Sequence, residues 1–188
     1  MRQLGWRSHC YRVALMVGWL ALVALTGAGE AQNKAGSAEI TKLTGQVEVQ
    51  KKGDTKWVPA AVGARLVEGD SIRAWAGGSA RLDLPDGSTI FVAENSRVVM
   101  GKLEFDHQNQ AREAIFHLAV GKVRAVVSQA ALSLVKARQS NFSISTQTAV
   151  AAVRGTDFEV TYDDAQQVTR IAVLPETPAA PAQKGDGS

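Results

Sequence analysis

Asp83 and Asp86 are two carboxylates close enough in the chain to share acid–base work. They flank Pro85, and Gly87 follows. Pro-Asp-Gly is first of all a turn, with proline presetting φ and glycine accepting a left-handed one, so Asp86 reads more simply as a turn residue. His107 and His117 show neither H-x-H nor H-E-x-x-H spacing, and a metal needs several convergent ligands. They read as a loop and a sheet histidine. No serine stands in G-x-S-x-G, and neither a P-loop nor G-x-G-x-x-G is present. The expectation is a protein without catalytic residues, metal or cofactor, hence not an enzyme.

What remains is chemistry of recognition. Arg154, Gly155, Thr156 and Asp157 form a charged corner between two apolar strands. Gly155 supplies the sharp reversal. A guanidinium there can fork onto a carboxylate and staple the corner, with Asp157 or Asp70 as partner, or it can recognise an anionic ligand. The staple is the favoured reading. Trp57 and Trp75 are the tryptophans beyond the first thirty residues. If exposed, they would face a ligand; the alternation of Ser71 to Trp75 favours the core for Trp75, and Trp57 is read the same way. Lys136 and Arg138, with Arg124, form a basic set that reads as a solvated face rather than a site for anionic envelope polymers.

Short strands must position these groups. Ile40 to Gln50 alternates in period two, and so do Ser71–Trp75, Ser79–Leu84, Ser88–Ala93, Arg97–Phe105, Asn141–Thr146, Thr148–Val153, Asp157–Tyr162 and Val168–Leu174. Glu113–Val120 and Lys122–Ser128 read as strands hinged at Gly121. Trp57-Val58-Pro59 is an edge piece, because proline cannot donate to a central ladder. Leu66 to Asp70 and Asp106 to Arg112 read as a turn and a polar loop, and residues 129–140 as a loop or insertion. The fold class is all-β, a solenoid-like stack of short strands or, alternatively, a sandwich or barrel.

The ends of the chain differ from its middle. Arg2, Arg7 and Arg12 precede an uncharged apolar run, Val13–Leu25, and a small-residue stretch ends Gly29-Glu30-Ala31. This is the tripartite pattern of a secretory signal peptide, too short to span a membrane. Without residues 1–31 the formal net charge falls from +3 to +1, and Cys10, the single cysteine, is gone. The basic pI therefore gives no reason to expect nucleic acid as a partner. The expected plan is a signal peptide (1–31), a lead-in (32–38), one β domain (39–174) and a Pro/Ala/Gly tail (175–188). The expected location is the bacterial periplasm or outside the cell, with no mature membrane span.

An ordered set of turns gives a family resemblance. Gly45-Gln46-Val47 and Trp57 come first, then Gly63, Leu66 and Gly69-Asp70-Ser71-Ile72-Arg73. Leu82, Leu84 and Asp86-Gly87-Ser88 follow, then Gly121-Lys122-Val123-Arg124, Phe142-x-Ile144-x-Thr146 and Val153-Arg154-Gly155-Thr156-x-Phe158. Over Glu39 to Val160 this order resembles the FecR domain family. Gln147 and Ala74 depart from the family's usual proline and threonine. The resemblance implies a twisted all-β domain outside the cytoplasm. It also implies a non-enzymatic module that binds or scaffolds a protein or envelope polymer in envelope signalling. Alternatives are a sensor accessory to a separately encoded anti-sigma/sigma relay and a small periplasmic hydrolase. With only a signal peptide ahead of the domain, the anti-sigma activity of sensor members is not carried over. Partner identity and oligomeric state stay open.

Overall fold

A computed structural model describes residues 36–106, 111–128, 140–152 and 157–175. Thirteen strands lie within them: β1 Ala38–Thr44, β2 Val47–Gln50, β3 Val58–Pro59, β4 Arg65–Leu66, β5 Ser71–Ala74, β6 Ser79–Asp83, β7 Thr89–Val92, β8 Ser96–Asp106, β9 Ala111–Val126, β10 Ser140–Ser145, β11 Val150–Ala152, β12 Asp157–Asp163 and β13 Val168–Leu174. No helix occurs among the described residues, so none is long and apolar enough to cross a membrane. The all-β expectation holds.

The strands build one curled sheet with two wings that share β9. Wing I runs β3-β2-β5-β8-β9-β10-β11, and wing II runs β4-β1-β6-β7-β9-β12-β13. All pairings are antiparallel except β9 with β10. β9 bonds to β8 and β10 up to Val120, and to β7 and β12 from Gly121 onward.

Four successive segments pass from one wing to the other along one line. Thr44 pairs with Ser79 in wing II and Val47 with Ala74 in wing I, so the β1–β2 and β5–β6 segments turn the corner together. The β7–β8 and β9 segments do the same between the pairs Val92–Val123 and Arg97–Val120. Left-handed residues mark each crossing: Gly45 at φ 60°, Gly77 at 70°, Asn95 at 53° and Gly121 at 94°. At two of them glycine is needed for space as well. A Cβ on Gly45 would stand 2.5 Å from the Gly77 carbonyl oxygen, and one on Gly121 2.5 Å from that of Asn95. We call this line the crease.

The crease also resets the alternation. In β9, Arg112, Ala114, Phe116 and Leu118 point inward; beyond Gly121 the inward residues are Val123 and Ala125. A strict period of two would have sent the second set to solvent. The inward residues of both wings form a single apolar core, in which Phe142 of wing I meets Phe158 of wing II edge-on with centroids 6.1 Å apart.

Four expectations change. Ile40–Gln50 is two strands broken at Gly45-Gln46. The two strands expected at Glu113–Val120 and Lys122–Ser128 are one, β9, which runs through Gly121 and ends at Val126. The polar loop expected at 106–112 is entered and left by strand, for β8 reaches Asp106 and β9 begins at Ala111. Polar composition misled there, because a hairpin's outward row is polar too. Arg65–Leu66 likewise pairs as β4 just before the Gly69-Asp70 turn.

Candidate functional site

On the outer face of wing I, Glu48 of β2 stands opposite Arg73 of β5. Arg73 Nε donates to Glu48 Oε2 at 2.7 Å, and Trp75 Nε1 donates to the same oxygen at 2.9 Å. The Arg73 guanidinium carbon lies 4.2 Å from the Trp57 ring centroid and 4.7 Å from that of Trp75. Cation and indoles attract through the ring quadrupole. The hydrogen bonds from Trp75 and Arg73 hold the Glu48 carboxyl below its usual range. The cluster presents Trp75 to solvent, 45% exposed, with Trp57 half-buried beside it.

This overturns the core reading of Trp75. Period two places Trp75 outward: Ser71, Arg73 and Trp75 share a face, while Ile72 and Ala74 are the buried pair.

Asp86 does hold its turn, accepting from the Ser88 amide at 3.0 Å and the Ser88 hydroxyl at 2.9 Å. It also pairs with Arg112 across the mouth of the fold, on the side away from the crease. The Arg112 side chain is fully buried, that of Asp86 is 4% exposed, and the guanidinium lies 5.2 Å from the Phe142 ring. Ser128 Oγ donates to the Asp86 carbonyl at 2.6 Å, and the Ser128 amide donates to Ser88 Oγ at 3.2 Å. Asp86 belongs to a sealed clasp between the wings. Gly87 sits at φ 78° in the same turn. Asp83 bonds to Arg81 and Thr89 on the outer face, so the two acids do not converge.

Asp70 is buried in the Gly69-Asp70 turn. Burial pushes its carboxyl upward, but bonds from Lys51 Nζ (2.7 Å) and the Val67 and Lys52 amides outweigh this and leave it lowered. The Gly69 amide and the Asp70 carbonyl pair with Met100, fixing the turn to β8 and placing Ile72 in the core. Asp157 binds Arg124, whose Nε donates at 2.9 Å. Among the described residues, the two carboxylates suggested as partners for Arg154 bind Lys51 and Arg124. Arg154, Gly155 and Thr156 lie outside the described residues, as do His107, Lys136 and Arg138. His117 Nδ1 lies 3.1 Å from Ser145 Oγ on β10, a sheet position. Among the described residues no group of three acids, histidines or cysteines could hold a metal.

A shallow groove of about 290 Å³ on wing II is lined by Lys42, Arg81, Phe91, Lys122, Arg124 and Glu159. Three of its cations already have acids: Arg81 has Asp83, Lys122 has Glu159 and Arg124 has Asp157. The groove is nearly neutralised, which disfavours an anion site. Sequence reasoning missed Glu48 and Arg112. Glu48 alternates between Gln46 and Gln50 in a predicted strand, so its outward direction was readable; its partner depended on register.

The family model described as FecR protein matches residues 70–175, more than half of the chain. This chain belongs to the FecR family. The match starts at Asp70, so Arg73, Trp75, Asp86, Arg112 and Asp157 fall inside it, while Glu48 and Trp57 lie upstream. The family is one of signalling and regulation rather than of known enzymes. Comparisons with curated proteins and with solved structures found no match.

Proposed function

We propose that this FecR domain is an exported, non-enzymatic binding module of envelope signalling that grips a protein partner with the outer face of wing I. The observation that carries this is the exposed Trp75, fixed from behind by Glu48 and flanked by Arg73 and Trp57. Tryptophan and arginine carry a disproportionate share of binding energy at protein interfaces. An indole already held in place loses little rotamer entropy on docking. Arg97, exposed and paired in register with Arg73, extends the face with a second cation. The basic start and apolar run at residues 2–25 support export.

The test is a photo-crosslinking amino acid at position 97 in living cells. The expected result is a discrete adduct that disappears with Trp75→Ala while the protein's abundance and melting temperature stay unchanged. Adducts that persist without Trp75 would remove this face from the binding role.

A further inference from the structure

β13 is a sheet edge of a different kind from the others. The edges at the opposite end are blunted: β3 and β4 have two residues each, and β3 contains Pro59. β13 has seven residues and, among the described residues, pairs only with β12. Across β12, Ile171 faces Val160 and Val173 faces Phe158. Residues directly opposite share a face. Val160 and Phe158 are fully buried, yet Ile171 is 49% and Val173 69% exposed. The apolar inner face thus runs out from under its cover at β13.

The strand is held ready. Thr169 Oγ1 lies 2.7 Å from Thr146 Oγ1 and 2.7 Å from Thr148 Oγ1, which fixes the start of β13 to the β10–β11 turn. On the other row Arg170 is exposed and is the one charge in the strand. Its neighbour across β12 is Thr161, and the nearby Glu159 is taken by Lys122 at 3.2 Å.

We infer that β13 accepts an extended segment of a partner protein as an added strand, apolar on one row and carrying an acidic residue on the other. The apolar row covers Ile171 and Val173, the acid answers Arg170, and the ladder supplies main-chain hydrogen bonds. A second copy of this chain fits less well. Self-pairing of β13 brings two Arg170 side chains together, and a single edge-to-edge contact falls short of the roughly 1,000 Å² a stable interface needs. The residues that follow do not suit the edge either, since Pro175, Pro178 and Pro181 have no N–H to donate.

The probe is a fluorescein-labelled peptide, Thr-Val-Thr-Val-Glu-Val-Thr-Val-Thr, titrated against the full chain and followed by anisotropy. Saturable binding is expected, at least about tenfold weaker when lysine replaces the glutamate. Val173→Lys should abolish binding without moving the melting temperature, because that side chain is already exposed. Arg170→Glu should reverse the preference between the two peptides. No binding, or binding indifferent both to peptide charge and to Val173→Lys, overturns the inference. So does a wild-type dimer in sedimentation that Val173→Lys dissociates, which would make the edge a contact between copies. Trp75→Ala should leave peptide binding intact, which separates this edge from the face of wing I.

Discussion

The crease and the clasp join the same two wings by opposite means. At the crease the chain itself passes between wings, and the join is backbone: left-handed residues, with carbonyl oxygens packed where side chains would otherwise stand. At the mouth the wings are closed by side chains, with Arg112 and Asp86 sealed from water and braced by Ser88 and Ser128. A buried pair is a poor source of net stability compared with apolar packing, but it is unforgiving of a missing partner. A crease tolerates changes of side-chain chemistry but not of shape. The two joins should therefore fail differently.

The largest effect is expected at the clasp. Arg112→Ala leaves Asp86 buried without its cation and should lower unfolding free energy by about 3–5 kcal/mol in a denaturant titration. A loss under about 1 kcal/mol would mean that the wings do not depend on it. At the crease, Gly121→Ala should cost about 2–3 kcal/mol, from left-handed strain plus the clash with Asn95 and Ser96. Gly53→Ala is the control: its φ is 82°, but a Cβ there meets nothing, so roughly 1 kcal/mol of strain is all that is expected. Equal losses at both glycines would show that only φ matters, not the crowding of the crease.

Asp70 stands between these cases, buried but paired with a half-exposed lysine. Its carboxyl is lowered in the folded state, so its contribution is present above the unfolded value near 4 and is lost as pH falls through the folded value. Asp70→Asn should cost about 1–2 kcal/mol at neutral pH, with the gap to wild type closing on acidification. A gap that stays constant with pH would detach the effect from ionisation. The smallest change is expected beside the crease. Tyr162 pairs in register with Gly121, and its buried hydroxyl meets no group in hydrogen-bond geometry among the described residues. Tyr162→Phe should shift stability by under about 1 kcal/mol, toward greater stability.

Much of the fold was legible because the β signal is local. Alternation and turn residues marked Ser79–Leu84, Ser88–Ala93, Asp157–Tyr162 and Val168–Leu174 within a residue or so of β6, β7, β12 and β13. The hinge at Gly121 was legible too. That Gly45, Gly77, Asn95 and Gly121 fall on one line was not, since their alignment depends on register between strands. The clasp was hidden for the same reason: Asp86 looked complete as a turn residue, and Arg112 sat in a polar run. Trp75 shows a different failure. Its row was readable from Arg73 two places earlier, but the alternation of Ser71 to Trp75 was read with the wrong row inward.

The double membership of β9 has a consequence for how this protein must assemble. Neither wing owns its central strand, so neither can finish its ladder while the other is unformed. Most of the partners of β9 are also remote in sequence; Asp157, for one, pairs with Val126. Chains dominated by such distant pairings fold slowly, in milliseconds to seconds. Loss of β9 takes both wings with it, so unfolding is expected as one cooperative transition, with no stage at which a single wing survives.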